Sequence, residues 1–202
     1  MNGRHMTKGE ETRARVMRAA AALINRNGLR NTSIQDIIEE TGVKKGNLYF
    51  HFPSKDDLGI SLIRKAWEQY SDYMAKSIRS DDPLGKINDI LNAVLKYHRR
   101  NRFVGGCIFG NTALEMSDTD KKYALLIQEI FGQWVKLLAG YIREAVKSGT
   151  LSDEIKPDSL ARHMVAAMEG SIMMARLYKR EEPIVECIMH LKSLIGISEI
   201  KR

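Results

Sequence analysis

Apolar residues recur at intervals of three and four along almost the whole chain, and alternation with a period of two is hard to find. The first spacing places one apolar stripe on an α-helix, whereas the second is typical of a half-buried strand. Pro53, Pro83, Pro157 and Pro183 each precede a long helical pattern, and proline is tolerated in the first turn of a helix. The spacing therefore predicts an all-α protein of about nine helices.

Caps and breakers give the approximate bounds of these helices. Thr32 and Gln35 have the spacing of a capping box, and Gly28 and Gly42 are expected to end the first two helices. The sequence Ser-Asp-Thr-Asp, at 117–120, is expected to begin the seventh helix. The other helices are predicted at about 8–26, 33–41, 44–51, 54–79, 84–102, 107–116, 158–179 and 183–196.

Composition limits the class of protein. The 202 residues are 44% hydrophobic and 28% charged, as in a globular chain with a sizeable core. The net charge of +7 suggests that the protein binds a polyanionic partner, either nucleic acid or an anionic membrane surface. A basic protein without such a partner would carry the same charge. Cys107 and Cys187 lie too far apart for a disulfide framework, and no apolar run of about 18 residues occurs. We therefore expect a reduced, cytoplasmic protein that does not span a membrane.

The stretch "TGVKKGNLYFHFPSK", residues 41–55, combines aromatic side chains with lysines. At 100° per residue on a helix, Leu48 and Phe52 share one face, while Asn47, Tyr49 and Phe50 lie on the other. Two short helices joined by a tight turn, the second with a polar outer face, form a helix-turn-helix. In that motif the second helix enters the major groove of DNA.

The longer stretch "TSIQDIIEETGVKKGNLYFHFPSK" resembles the DNA-binding signature of the tetracycline-repressor (TetR) family of bacterial regulators. The resemblance covers about residues 8–60 and implies a DNA-binding domain at 1–54 and an effector-binding and dimerisation domain at 55–202. Ile38, Thr41 and Lys44 depart from the family pattern, and Lys44 stands where a Ser or Thr usually caps the third helix. The matching positions are Thr32 or Ser33, Ile37, Gly42, Val43, Gly46, Tyr49, His51, Phe52 and Lys55.

Geometry and resemblance together suggest how the motif contacts DNA. Phosphates would be held by Tyr49, His51 and Lys55, and by Thr32 or Ser33 at the start of the second helix, where the helix dipole helps. Alternatively, Tyr49 is a core aromatic, His51 a cap and the lysines a solvated face. Base edges would be read by Gln35, Lys45 and Asn47, while Gly46 allows close approach, Phe50 touches a thymine methyl and Lys44 adds a cation.

The remainder of the chain carries no catalytic motif, so we expect neither an enzyme nor a cofactor. His98, His163 and His190 are isolated and are expected to be surface or satisfied core residues rather than metal ligands.

The resemblance implies that residues 55–202 bind a small effector, for which an adaptable aromatic and Met-rich wall suits a hydrophobic molecule. These side chains could equally be plain core. The candidate effector-binding residues are Trp67, Tyr70, Met74, Tyr97, Phe103, Cys107, Phe109, Phe131, Trp134, Met164 and Met168.

The resemblance also implies a homodimer in which the last two helices of each chain form a four-helix bundle. Small residues on the eighth helix and an apolar stripe on the ninth agree with this, although both would also suit an intramolecular core. The candidate interface residues are Ala166, Ala167, Gly170, Ser171, Ala175, Ile188, Leu191, Leu194 and Ile195.

The segment "GGCIFGNTALEMSD", 105–118, resembles a Gly-Cys segment in one branch of the family, some members of which sense electrophiles or oxidants. A Cys107 thiolate at a helix start would be activated by the helix dipole. The alternative is a buried, inert cysteine.

These patterns predict an effector-released repressor that binds a palindromic operator in double-stranded DNA as a homodimer. The alternative is a helical module that binds a small molecule or a protein, or a redox sensor acting through Cys107, whose DNA binding is secondary.

Overall fold

The computed structural model describes residues 6–197, and within that range it consists of nine α-helices and no strand. The all-α prediction is therefore confirmed, and the predicted helix ends lie within a few residues of the observed ones. The helices are α1 (Lys8–Asn27), α2 (Ile34–Thr41), α3 (Lys45–His51), α4 (Lys55–Ser77), α5 (Pro83–Arg100), α6 (Ile108–Met116), α7 (Lys121–Lys147), α8 (Pro157–Tyr178) and α9 (Glu182–Leu194).

The cap of α2 lies one residue later than predicted. Ser33 accepts a hydrogen bond of 3.1 Å from the N–H of Asp36, whose carboxylate accepts one of 2.7 Å from the N–H of Ser33. The predicted capping pair, Thr32 with Gln35, is wrong because the Thr32 hydroxyl points inward. That hydroxyl donates to the carbonyl of Gly28 over 2.8 Å, and Thr32 is only 1% exposed.

The short helix α3 is held by packing instead of by a cap. Lys44 occupies its N-cap position without a side-chain hydrogen bond to the helix. Leu48 and Phe52 are buried against the preceding helices. Gly42, with φ of 65°, makes the left-handed turn that separates α2 from α3.

The apolar core forms two clusters that meet along α4 and α7. The first cluster joins α1–α3 to the first half of α4, to α6 and to the first half of α7. The second joins the end of α4 to α5, the second half of α7, α8 and α9. The helices proposed to bind DNA thus share one core with α6 and α7, and the packing continues across the expected domain boundary at residue 54.

A close approach between α4 and α7 fixes this junction. Gly59 leaves room for the ring of Tyr123, whose hydroxyl donates to the carbonyl of Asp56 over 3.4 Å. A methyl group at Gly59 would collide with that hydroxyl. None of the helices in the described part of the chain is long and apolar enough to span a membrane.

Candidate DNA-binding and effector sites

The outer face of α3 is exposed. Lys45, Gly46 and Asn47 are exposed, and Phe50 and Tyr49 are 82% and 38% exposed. The helix α3 is only seven residues long, so its first turn makes up much of this face. The structure thus brings these five predicted DNA-binding residues onto one accessible surface, which we call the α3 face.

Three further predicted residues border the α3 face. His51 is half-buried, with its ring edge-on to Phe50 at a centroid distance of 5.3 Å. Lys55 donates one hydrogen bond of 3.0 Å to the carbonyl of Arg30, which leaves two ammonium N–H groups for another acceptor. Gln35 is exposed, and its side-chain amide donates to Glu39 over 2.9 Å.

Thr32 and Ser33 are the alternative phosphate contacts at the start of α2, and only one of them is exposed. Thr32 is buried and its hydroxyl is already bonded inside the protein. Ser33 is exposed at the N-terminus of α2, and Lys44 is exposed at the start of α3. Of the pair, only Ser33 therefore remains available to a phosphate.

The predicted effector residues divide into those that line a small cavity and those that do not. The cavity has a volume of about 40 Å³, little more than the space of one water molecule. Trp134 and Tyr70 pack against each other in its wall, with ring centroids 5.4 Å apart. Its lining includes Tyr70, Cys107, Phe109, Phe131, Trp134, Met164, Met168 and Glu169.

Four of the predicted effector residues lie outside this cavity. Trp67 packs edge-on against Phe109 at 5.7 Å and donates from its indole nitrogen to Gln133. Met74 is buried in the second apolar cluster, and Phe103 packs against that cluster from the α5–α6 loop. Tyr97 faces a separate cleft beside α1. The aromatic stripe is thus partly core, because helix periodicity does not say which side chains meet a void.

Cys107 is not the activated thiol that the helix-start position suggested. Burial raises the pKa of its thiol well above the usual value, and the neighbouring Glu169 raises it further. The N–H of Gly110 donates to the sulfur over 3.5 Å but does not offset these effects. Burial also raises the pKa of the Glu169 carboxyl, which a hydrogen bond from Cys107 lowers in part, so the two side chains are neighbours in the cavity wall.

Most of the predicted interface residues on α8 and α9 pack within the chain. Ser171, Ala175, Ile188, Leu191 and Ile195 are all buried in one protomer. Their assignment to the dimer surface is therefore corrected: the small residues of α8 let α9 approach closely in the same chain. Ala167 and Gly170 are half-buried, Ala166 is exposed, and Leu194 is 58% exposed.

A different apolar stripe on these helices faces outward. Met173 and Leu177 on α8 are 56% and 68% exposed, and Met189 on α9 is 50% exposed. Met174 on α8 and Leu194 on α9 are 36% and 58% exposed. We call these five residues the α8–α9 face.

Two side chains that line these spaces were not proposed as site residues from the sequence. Glu169 lies in the cavity wall, and His98, set aside as an isolated histidine, is 3% exposed. Neither has a motif around it, so only the tertiary packing identifies them. Within residues 6–197, no group of three or more His, Cys, Asp or Glu side chains is placed to hold a metal ion.

Comparison with known proteins agrees with this architecture over most of the chain. The family model described as bacterial regulatory proteins, tetR family, matches residues 16–61, and that described as tetracyclin repressor-like, C-terminal domain, matches residues 83–191. A TetR transcriptional regulator from Chloroflexus aurantiacus J-10-FL has a similar crystal structure, with a TM-score of 0.87 and 32% identity. That match covers 95% of this chain and 97% of the other.

Two curated proteins are similar at lower identity. The transcriptional regulator AcuR of Cereibacter sphaeroides is 27% identical over 175 residues, which is 84% of this chain and 78% of that protein. The HTH-type transcriptional repressor DhaR of Mycobacterium sp. is 25% identical over 159 residues, which is 78% of each chain. On the two family matches and the Chloroflexus structure, the chain belongs to the TetR family of bacterial transcriptional regulators.

Proposed function

We propose that this regulator is a repressor that binds a palindromic DNA operator as a homodimer and leaves it when a small effector binds. The observation that carries the proposal is the α3 face, where Lys45, Asn47 and Phe50 are exposed while Leu48 and Phe52 anchor the helix from behind. A helix so held can enter a major groove without disturbing the core. Residues 1–54 would bind DNA, and residues 55–202 would bind the effector and the second chain.

On the α3 face, contacts that position the protein would be separate from contacts that read sequence. Lys45 suits the O6 and N7 atoms of guanine, and Asn47 suits the N6 and N7 atoms of adenine. Gly46 has open space around it, so the backbone can approach the bases closely. Phe50 would touch a thymine methyl, and Gln35 would reach a base from α2.

Phosphate contacts would surround these base contacts. Tyr49 and His51 would donate to phosphates from the end of α3, and Lys55 would use its free ammonium N–H groups. Ser33 would hold another phosphate at the N-terminus of α2, where the helix dipole favours an anion. Lys44, without a capping role, adds a positive charge beside the backbone.

The effector would act by opening the cavity between α4 and α8. At about 40 Å³ the cavity is too small for an organic molecule, so binding must displace part of its wall. Met164 and Met168 are adaptable side chains, and Tyr70 links the wall to α4. Since the first half of α4 packs with the DNA-binding helices, displacing α4 would alter their position and weaken DNA binding.

The homodimer would form through the α8–α9 face. Five apolar residues on these two packed helices, including Met173, Leu177 and Leu194, are exposed, and clustered exposed apolar residues often mark an interface. A repressor that binds a palindrome needs both α3 helices on one side of the dimer, at half-sites about 34–36 Å apart. Because bacterial operators lie in the cytoplasm, the regulator would act there.

The test uses fluorescence anisotropy with labelled duplexes tiled across the DNA upstream of the gene that encodes the chain. We expect one tile to bind far more tightly than a scrambled duplex, with affinity falling about a thousandfold or more between 50 and 200 mM salt. If no tile binds more tightly than the scrambled duplex, the regulator proposal fails. A helical module that binds a small molecule or a protein would then be the better description.

A further inference from the structure

A cleft of about 820 Å³ lies between α1 and the segment formed by α4, the end of α5 and the start of α6. Its volume lies within the range of about 300–1,000 Å³ that is usual for small-molecule sites. Tyr70, Cys107 and Phe109 line both this cleft and the small cavity, so the two spaces adjoin at these side chains. The larger space therefore adjoins the DNA-binding helices, outside the cavity wall.

His98 is the buried polar group of the cleft. It is only 3% exposed and lines the cleft. Among the described residues no fully buried side-chain nitrogen or oxygen lacks a hydrogen-bond partner, so His98 is not an orphaned group. Burial lowers the pKa of His98 to about 4, so at neutral pH its ring offers one N–H donor and one nitrogen acceptor to the cleft.

The charged side chains of the cleft favour an anion. Arg13, Arg18 and Lys65 line it, against one carboxylate, Glu10. The Glu10 carboxylate already accepts hydrogen bonds from Thr7 in the cap of α1. Lys65 pairs with Glu68 at 2.8 Å, whereas Arg18 has no ion-pair partner among the described residues. The unbalanced charge at the cleft is therefore positive.

The lining of the cleft also has apolar side chains from more than one helix. Ala14, Met17 and Ala21 contribute from α1, and Tyr70 and Phe109 from α4 and α6. Such walls suit a flat or elongated hydrocarbon body, while cations attract a charged end. A molecule with both features would satisfy the cleft better than water or an inorganic ion.

We propose that this cleft is a second ligand site, beside the small cavity, and that it takes a small amphipathic organic anion. The apolar body lies between α1 and α4, and the acidic group accepts a hydrogen bond from the His98 ring, while the arginines supply the positive potential of the cleft. Such a ligand touches α1 of the DNA-binding unit and α4, α5 and α6 together. Its affinity therefore depends on how far apart these helices lie. The existence of the site does not depend on DNA binding.

Anilinonaphthalene sulfonate, an aromatic anion whose fluorescence rises on binding, serves as the probe, and titrations use the full chain without DNA. Phenylnaphthylamine, which has the same aromatic body without the sulfonate, is the matched neutral probe. The variants are His98→Leu, His98→Gln, which keeps a donor, and Ala22→Trp, which fills the cleft from an exposed position on α1. Ala75→Trp and His190→Leu are exposed controls outside the cleft.

We expect the anionic probe to bind the unaltered chain and both control variants equally. His98→Leu should raise its Kd at least tenfold, His98→Gln less than threefold, and Ala22→Trp should abolish binding. The neutral probe should lose little affinity in His98→Leu. The proposal is overturned if the anionic probe does not bind, or if Ala22→Trp leaves its binding intact. If His98→Leu folds and binds the anion as before, the assigned role of His98 is wrong; if it does not fold, Ala22→Trp decides.

Discussion

The carboxylate of Glu115 on α6 accepts a hydrogen bond of 2.8 Å from the backbone N–H of Leu29, in the turn between α1 and α2. The same oxygen accepts a second, of 3.2 Å, from the N–H of Arg30. Leu29 itself is buried in the core that α6 and α7 share with the DNA-binding helices. Glu115 thus connects α6 directly to the turn that positions α2 and α3.

Removing this carboxylate should cost stability. In Glu115→Ala the part-buried N–H of Leu29 loses its acceptor, and we expect the free energy of unfolding to fall by about 1–3 kcal/mol. Urea unfolding followed by circular dichroism measures it. Glu144→Ala, an exposed glutamate on α7, is the matched control and should stay within about 0.5 kcal/mol of the unaltered chain. Equal stability of the two variants would contradict the structural role of Glu115.

Gly→Ala changes at two helix positions should have opposite effects on stability, because only one of the glycines lies at the contact between α4 and α7. Gly59→Ala places a methyl group against the Tyr123 hydroxyl and close to Leu29, so it should destabilise the fold by about 1–3 kcal/mol. At Gly132 on α7 an added methyl meets no atom within 4 Å. Gly132→Ala should therefore stabilise the helix by about 0.5–1 kcal/mol. Thermal unfolding compares them, and a shift of the same sign in both would contradict this packing.

The burial of His98 predicts a specific pH dependence. Its pKa falls from 6.5 to about 4 on folding, so between these values the unfolded chain binds more protons than the folded one. The contribution of the neutral His98 to the free energy of unfolding is therefore fully present above pH 6.5. It is lost as the pH falls towards 4. Between neutral pH and the folded pKa the loss amounts to about 3 kcal/mol.

The His98→Leu variant isolates this effect, because the other titrating groups are common to both chains. Urea unfolding at a series of pH values should show the unaltered chain losing about 3 kcal/mol more than the variant. Parallel stability curves for the two chains would mean that His98 is not buried as described.

The α8–α9 face predicts which surface change breaks the dimer. Leu177→Glu puts a charge in the middle of the face and should convert a dimer to a monomer at micromolar concentration. Leu125, on α7 and 55% exposed, lies on a different helix, so Leu125→Glu should remain dimeric. Sedimentation velocity distinguishes the two states. A monomeric unaltered chain, or a dimeric Leu177→Glu variant, would contradict the proposed interface.

The local features of the motif followed from the sequence because they depend on residues only three or four positions apart. The inward direction of Leu48 and Phe52 is such a feature, and the structure buries both. The cap of α2 was harder to predict, since Thr32 and Ser33 both carry hydroxyls at plausible capping spacings. Burial of Thr32 against Gly28 decides between them, and burial is a tertiary property.

Features that join distant segments could not be predicted from the sequence. Periodicity showed that α8 has a small, apolar side but not that this side meets α9 of the same chain, which buries Ser171 and Ala175. The Glu115–Leu29 contact spans 86 residues, and no motif surrounds either residue. His98 is unusual only because the packing of α5 buries it beside the cleft.

The α3 face predicts different consequences for two single substitutions. Tyr49→Ala removes a proposed phosphate contact and should weaken binding to all operator sequences alike. Asn47→Ala removes a proposed base contact and should relax the preference at one position per half-site, with a loss there of about 1–3 kcal/mol. Competition titrations against single-base operator variants separate these two patterns.

Selection of bound duplexes from a randomised DNA library tests the central claim most directly, because it requires no knowledge of the operator. The unaltered chain should enrich a palindrome whose half-sites are about one helical turn apart. The Asn47→Ala chain should enrich the same palindrome with one relaxed position in each half. Enrichment of no sequence by the unaltered chain, or an identical preference in both chains, would contradict the assignment of the α3 face as the DNA-reading surface.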